Sequence, residues 1–499
     1  MQLNAELSRL REKIEENAAD FGLDFYKVHF EMLDYRTMNE VAAYDGFPLR
    51  YPHWRFGMEY DRLSKSYAYG LHRIYEMVIN TDPCIAYLLV SNELVDQKLV
   101  IAHVFGHSDF FKNNLWFAHT NRKMLDEMAN HAARIRRYAE KYGHETVEAF
   151  LDACLSLENL IDVHRVGLDE FPPHTHRGDD MEEEPPARHK LPSKGYMDTF
   201  INPPEYLQEQ ERIRRDKETR QKDHLPQQPE RDVLLFILEN APLENWQYDV
   251  LEIVREEAYY FAPQRQTKIM NEGWAVFAHT HIMTQYALEP NELIDYADHH
   301  SGTVAVAPGH LNPYKLGYEL FLDIEDRWDR GAFGPAYAAC DDFQERRRWD
   351  LGLKQGRSKV FEVRRIYNDV GFIDEFMTED FVRQHNLFGY DYNPDTNLYE
   401  ISTRDYEEIK RRLIFQLTNF GQPVIEVADG NFENRGALCL VHRYEGTGLD
   451  IPWAEETLRS LYTLWHRPVF LETVVEDDKR VRFGYTPHGN TRDEIEKGE

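Results

Sequence analysis

The chain alternates between helical and extended patterns in an order that sketches its architecture. Leu3, Leu7, Leu10 and Ile14 recur at helical spacing with charges between them, which predicts an amphipathic first helix. Residues 60–79 repeat the helical pattern. After Asp82-Pro83, the run Cys84-Ile85-Ala86-Tyr87-Leu88-Leu89-Val90 reads as a buried strand. A helix is predicted from Gln97 through Phe111, and helices again from Arg122 to His164. Residues 172–230 break the pattern. Pro172-Pro173, the acids from Asp179 to Glu184 and Pro185-Pro186 mark a charged surface excursion, with a helix near 205–220. Helical periodicity returns from Val233 to Leu288, continues through Tyr296–Arg330, and persists to Phe388.

Polar residues at Asp391–Asn397 precede a different rhythm. A helix at 403–417 leads to a strand at 423–428, and Asp429-Gly430-Asn431 reads as a turn before a strand at 437–443. A helix at 452–464 and strands at 468–475 and 480–485 complete a small α+β unit. The expected fold class is mainly α with a small sheet. A large helical domain over 1–395 is followed by a small C-terminal α+β domain over 398–499, a normal independent size. No internal repeat is visible.

Composition narrows the function. The 499 residues are 42% hydrophobic and 29% charged, a globular balance. The formal net charge is −30, a surface that repels phosphate backbones, so nucleic acid is not an expected partner. Cys84, Cys154, Cys340 and Cys439 include no C-x-x-C pair, which argues against a disulfide framework. The N-terminus lacks a basic start followed by an apolar run, and no stretch reaches eighteen apolar residues. A cytoplasmic protein without a membrane span is expected.

Two segments carry candidate chemistry. His103 and His107, four apart in Ile101-Ala102-His103-Val104-Phe105-Gly106-His107, project from one face of a predicted helix, as two imidazoles that converge on a metal must. Spacing alone is weak in a chain with 22 histidines. The apolar surroundings strengthen it, because buried rings need partners. Gly106 permits a close approach, and Asp109 is a candidate to orient a ring. The second segment is Asn271-Glu272-Gly273-Trp274-Ala275. A carboxylate in so apolar a helix is costly unless paired or metal-bound, so Glu272 is the candidate third ligand; pairing with Arg255 or Arg265 is the competing explanation. His279 lies about two turns on, on the same face.

Val104 departs from the hydrolytic helix motif H-E-x-x-H, whose glutamate activates the attacking water. Another carboxylate could serve, with Glu158, Glu256, Glu257 and Asp109 in view. Otherwise the site does different chemistry, or binds without turnover. Glu158 and Asp162 are read as i,i+4 neighbours on one helix. His174 and His176 form a loop pair. Asp298-His299-His300-Ser301-Gly302 is a third cluster, with Gly302 at an expected turn. Asn312, Tyr314 and Lys315 are candidate substrate contacts. No P-loop, dinucleotide fingerprint or nucleophile elbow is present.

Several long stretches resemble the stage V sporulation protein R (SpoVR) family. They are His103-Val-Phe-Gly-His107-Ser-Asp-Phe-Phe-Lys-Asn-Asn114, Ala153 to Asp162, Lys268 to Ala275, Asp298 to Gly302 and Leu311 to Gly317, with Arg412 to Pro423 and Leu440 to Arg443 in the C-terminal part. The similarity covers nearly the whole chain. It implies a role in assembling the spore cortex, a peptidoglycan layer, or in stress responses of non-sporulating species. There the family resembles a module found beside a PrkA-like serine kinase and a von Willebrand-type protein. A weaker likeness joins the Glu-Gly-Trp-Ala segment and the histidine helix to gluzincin-type metallopeptidases. The leading expectation, drawn from the paired segments together with these likenesses, is a metal-dependent enzyme on a gluzincin-like helical domain. On it, His103, His107 and Glu272 bind a divalent metal, zinc or alternatively iron, and Glu158, Glu257, His279, His299 and His300 line a catalytic cleft. The expected reaction is hydrolysis of an amide in a peptide or cell-wall precursor. The alternatives are a non-catalytic regulatory scaffold acting with the kinase module, and iron-based redox chemistry.

Overall fold

The computed structural model describes residues 3–68, 76–165, 225–306, 309–475 and 479–495. Most of the charged excursion, its expected helix at 205–220, and His174 and His176 lie outside these residues. The chain forms two compact units, one of residues 1–148 with 259–422, the other of 149–258 with 423–499.

The first unit is helical around a three-stranded sheet. Strand Cys84–Leu89 is central, parallel to Val28–Leu33 and antiparallel to Glu76–Ile79. Its apolar run is buried at Cys84, Ala86, Tyr87, Leu88 and Leu89, as a strand covered on both faces requires. The strand leads into the helix Leu94–Asn113, which carries both histidines (the His helix). Nearly every residue of it from Val95 to Phe111 is buried. Such a helix is apolar all round because protein surrounds it on every side. Even Lys98 is internal: its Nζ lies 2.8 Å from Glu292 Oε2.

The helix Lys268–Ile282 (the Glu helix) is the second buried rod, and every residue from Ile269 to His279 is buried. Its first turn is capped from 100 residues away: Asp369 Oδ2 accepts from Ile269 N and Oδ1 from Met270 N, both at 2.8 Å. Missing side chains let the rods touch backbone to backbone. A Cβ on Gly106 would stand 2.8 Å from Ala275 Cα. On the opposite side, a Cβ on Gly273 would stand 2.4 Å from Gly317 Cα, within the helix Pro313–Arg330. Around this crossing Trp274 packs edge-on to Phe361 and Phe321.

The expected C-terminal α+β sheet lies in the second unit, although residues 398–422, expected with it, fall in the first unit and 149–258 join the second. Its five-stranded sheet runs in the order Gly489–Glu494, Lys479–Thr486, Val469–Val475, Ala437–His442, Ile425–Phe432. Helix Ile451–Trp465 connects the parallel pair Ala437–His442 and Val469–Val475. Among the described residues no helix is long and apolar enough to cross a membrane.

Several local expectations are corrected. The helix expected over 60–79 ends at Ala68, and Glu76–Ile79 is a strand. Val28–Leu33, where no element was expected, is a strand paired with Cys84–Leu89; its apolar Val28, Phe30 and Met32 alternate with His29 and Glu31. The helix expected to carry Glu158 and Asp162 stops at Ser156, with Glu158 in the following turn, so the two carboxylates share no helical face. Asp429-Gly430-Asn431 does not turn the chain. The strand Ile425–Phe432 absorbs it through register shifts against Ala437–His442. Reversal comes later, where Glu433, Asn434 and Gly436 adopt positive φ. Gly302 is not a turn but lies inside helix Leu293–Thr303.

Two stability predictions follow from the Glu helix. Gly273→Ala should destabilise the protein by about 3 kcal/mol, since overpacking here must push two backbones apart. Gly302→Ala, with nothing within 4 Å of the added Cβ, should be neutral or stabilising by up to about 1 kcal/mol. Chemical denaturation of both variants checks this; equal effects would contradict the backbone contact. The second concerns pH. Burial pushes Asp369 from 3.8 up to about 7, although the Ile269 and Met270 N–H groups pull it down. Between those values the folded protein holds a proton that the unfolded chain has released. The carboxyl thus contributes stability that is complete below pH 3.8 and lost as the pH rises through about 7. Asp369→Asn removes that dependence. The stability difference between the two proteins should move in favour of the variant as the pH rises across this window, and a pH-independent difference would contradict it.

Candidate metal centre

The crossing of the two rods sets the geometry. His103 and His107 lie one turn apart on the face of the His helix that meets the Glu helix, their ring centroids 4.6 Å apart. Glu272 enters from the opposing face. Its Oε2 lies 3.7 Å from His103 Nε2 and 3.5 Å from His107 Nε2. All three residues are buried, and their candidate ligand atoms lie within 4.8 Å of one another.

These separations exceed those of good hydrogen bonds, roughly 2.7–3.2 Å. They match two ligands on one ion. Bonds of about 2.0–2.2 Å at a tetrahedral angle place ligand atoms roughly 3.3–3.6 Å apart. Glu272 Oε2 is buried with no hydrogen-bond partner, an expensive state for a carboxylate oxygen unless something cationic meets it. The other oxygen, Oε1, accepts from Lys268 Nζ at 2.6 Å. Lys268, not Arg255 or Arg265, is thus the cationic neighbour of Glu272; Arg255 pairs with Asp232 at 2.6 Å in the second unit.

The far side of each ring is also held. Asn271 Oδ1 lies 2.9 Å from His107 Nδ1, so an Nδ1–H donates to it and Nε2 keeps its lone pair. His103 Nδ1 lies 2.8 Å from His279 Nδ1. With a proton on His103 Nδ1, His279 accepts and His103 Nε2 likewise faces Glu272. Such outer contacts fix tautomer and ring orientation at metal sites. Electrostatics agree. Burial pushes Glu272 up, but His103, His107 and Lys268 outweigh it and hold the carboxyl well below its ordinary value. Burial, with His103, His300 and His107 nearby, holds His279 well below the usual histidine range and therefore neutral.

A match to known sequences decides the family. The sequence model described as SpoVR like protein covers residues 2–422, and that of the SpoVR-like C-terminal domain covers 423–476. The chain belongs to the SpoVR family. It is also similar to the uncharacterized protein YcgB of Escherichia coli (strain K12), 30% identical over 491 residues, which cover 93% of this chain and 91% of that one. No solved structure matches.

Within this SpoVR chain the remaining candidates fall in different places. His279 supports His103 through their ring nitrogens. His300 is half-buried, its ring 5.8 Å from that of His279 and stacked on Tyr296. His299 Nδ1 faces the carboxyl group of buried Asp96. Glu158 and Glu257 belong to the second unit, Glu158 in a turn and Glu257 buried on helix Asn245–Gln266. Neither is one of the three clustered residues. Asp109 does not orient a histidine. It accepts from Asp24 N and Trp274 Nε1, both at 2.8 Å, and faces Arg364 at 3.4 Å. Burial pushes it up to about 6. Val104 is fully buried in the hydrophobic core, where a glutamate would be stranded.

Sequence reasoning missed Lys268 and Asn271. Lys268 was legible as the i,i+4 neighbour of Glu272. Asn271 gave no signal beyond its position beside it. Tyr314, expected as a substrate contact, lies with its ring 6.2 Å from that of His103.

The Asn271 contact generates a prediction. Asn271→Ala should lower divalent-metal affinity about 10–100-fold, while Asn271→Asp, which keeps an acceptor, should largely retain it. Competition with a chromophoric chelator measures both. Unchanged affinity in the alanine variant would show that His107 needs no support.

Proposed function

We propose that this protein is a metal-dependent hydrolase of amide bonds in a peptide or peptidoglycan precursor, with His103, His107 and Glu272 holding one divalent ion, zinc ahead of iron. The observation that carries the reading is the buried, unpartnered Oε2 of Glu272 facing two imidazole nitrogens. Two nitrogen donors and one oxygen donor suit zinc, and three protein ligands leave the open position typical of catalytic sites. When bound, the ion would supply Lewis acidity toward an amide carbonyl.

The chain's own residues do the positioning. Asn271 and His279 hold the two rings, and Lys268 ties down one oxygen of Glu272, which leaves the other for the shared point. Tyr314, brought against His103 from the first turn of its helix, is the group we assign to contact substrate. The family's link to the spore cortex supports a peptidoglycan-related amide.

Val104 favours a second reading. The position that would carry the general base is buried and apolar, and among the described residues the cluster contains no carboxylate besides Glu272. On that reading the ion is structural, and the protein is a regulatory partner of a PrkA-like serine kinase module.

Protein purified without chelators should contain about one equivalent of divalent metal. His103→Ala should lose it, together with metal-dependent cleavage of a peptide library read by mass spectrometry. Metal-free wild type would overturn both readings of the cluster. One equivalent of metal without cleavage of any peptide or muropeptide would favour the regulatory reading.

A further inference from the structure

A second site lies in the first unit, in a cavity of about 290 Å³ between the N-terminal half of helix Pro313–Arg330, the turn after helix Glu379–Gln384, and helix Tyr406–Leu417. That volume is at the low end for small-molecule sites. Its floor is apolar and buried, with Leu316, Phe381 and Ile409 all under 8% exposed. Its rim carries both signs of charge. Lys315 and Glu319 stand one turn apart on the same helix, their nearest charged atoms 3.6 Å apart. Glu319 Oε2 also lies 3.8 Å from His385 Nδ1. Both distances are longer than hydrogen bonds, so neither contact uses the full capacity of the ammonium or the carboxylate. By contrast Arg412, also on the wall, is engaged at 2.7 Å with Glu408 and at 2.9 Å with Asp391.

We propose that this cavity binds a small zwitterion with an apolar side chain, an amino acid or the end of a short peptide. Its carboxylate meets Lys315, its ammonium meets Glu319, and its side chain covers Leu316, Phe381 and Ile409. A simple anion would leave Glu319 facing it; a simple cation would leave Lys315. A purely apolar ligand would desolvate the loosely held Lys315–Glu319 pair and give neither charge a closer partner. Only a ligand with both charges and a hydrophobic group matches all three features. The assignment does not depend on metal or hydrolysis. It does place a ligand on a helix that touches the candidate metal cluster, because Lys315 follows Tyr314, whose ring lies against His103.

Isothermal titration with three probes tests it: leucine, isocaproate (which lacks the ammonium) and isoamylamine (which lacks the carboxylate). Leucine should bind saturably, and each truncated probe at least about tenfold more weakly, as expected for losing a hydrogen bond to a charged group. Lys315→Met and Glu319→Gln should each weaken leucine binding about tenfold, with thermal unfolding confirming that the variants fold. The proposal is overturned by absent saturable leucine binding, by equal binding of either truncated probe to the wild-type protein, or by folded variants that bind leucine unchanged.

Discussion

Backbone contact between buried helices is the constraint on which the rest of the first unit depends. Gly106 brings the His helix onto Ala275 of the Glu helix, while Gly273 brings the other side of the Glu helix onto Gly317. Normal helix pairs stand 8–10 Å apart because side chains separate them. Where glycine removes those side chains, short reaches suffice. Glu272 can then extend to His103 and His107 from the facing rod, and the three donor atoms meet without a loop to carry them. Sites built on packed helices hold their geometry better than sites on loops.

The same packing makes the site electrostatically demanding. It removes water from a carboxylate, three imidazoles and their partners. Lys268 answers for one oxygen of Glu272, Asn271 for one nitrogen of His107, and His279 for one nitrogen of His103. Glu272 Oε2 is left without a hydrogen bond. A fully satisfied buried network would read as structural reinforcement. Here His279 Nε2 is also unmet, but the unmet carboxylate oxygen of Glu272 stands at a point shared by three ligand-type atoms, which reads as a seat for a cation. Val104 belongs to the same logic. It faces the core rather than the shared point, so its residue type is set by packing.

The core of this site was legible in sequence, because two histidines four apart in an apolar helix and a glutamate in an apolar run are each anomalous by themselves. What was not legible came from chain-distant contacts. Asp369 caps the Glu helix from 100 residues away, and nothing in the Glu helix segment announces it. Asp109 seemed aimed at a histidine, but tertiary packing turns it to Trp274 and Arg364. The strand Val28–Leu33, by contrast, was legible and overlooked: Val28, Phe30 and Met32 alternate with His29 and Glu31, and Phe30 and Met32 are buried. The Asp-Gly-Asn turn also failed for a chain-distant reason. Gly430 is needed because a Cβ there would stand 2.5 Å from Phe236, not because the chain reverses. The family's motifs carried the broad architecture. The metal identity and the reaction rest on chemistry that the three donor atoms permit.

Anomalous diffraction from crystals of metal-loaded protein, recorded on either side of the metal's absorption edge, tests the central claim most directly. The account predicts one strong edge-dependent peak about 2 Å from each of His103 Nε2, His107 Nε2 and Glu272 Oε2. Loaded crystals with no peak between these atoms, and Glu272 instead hydrogen-bonded to both imidazoles, would contradict it.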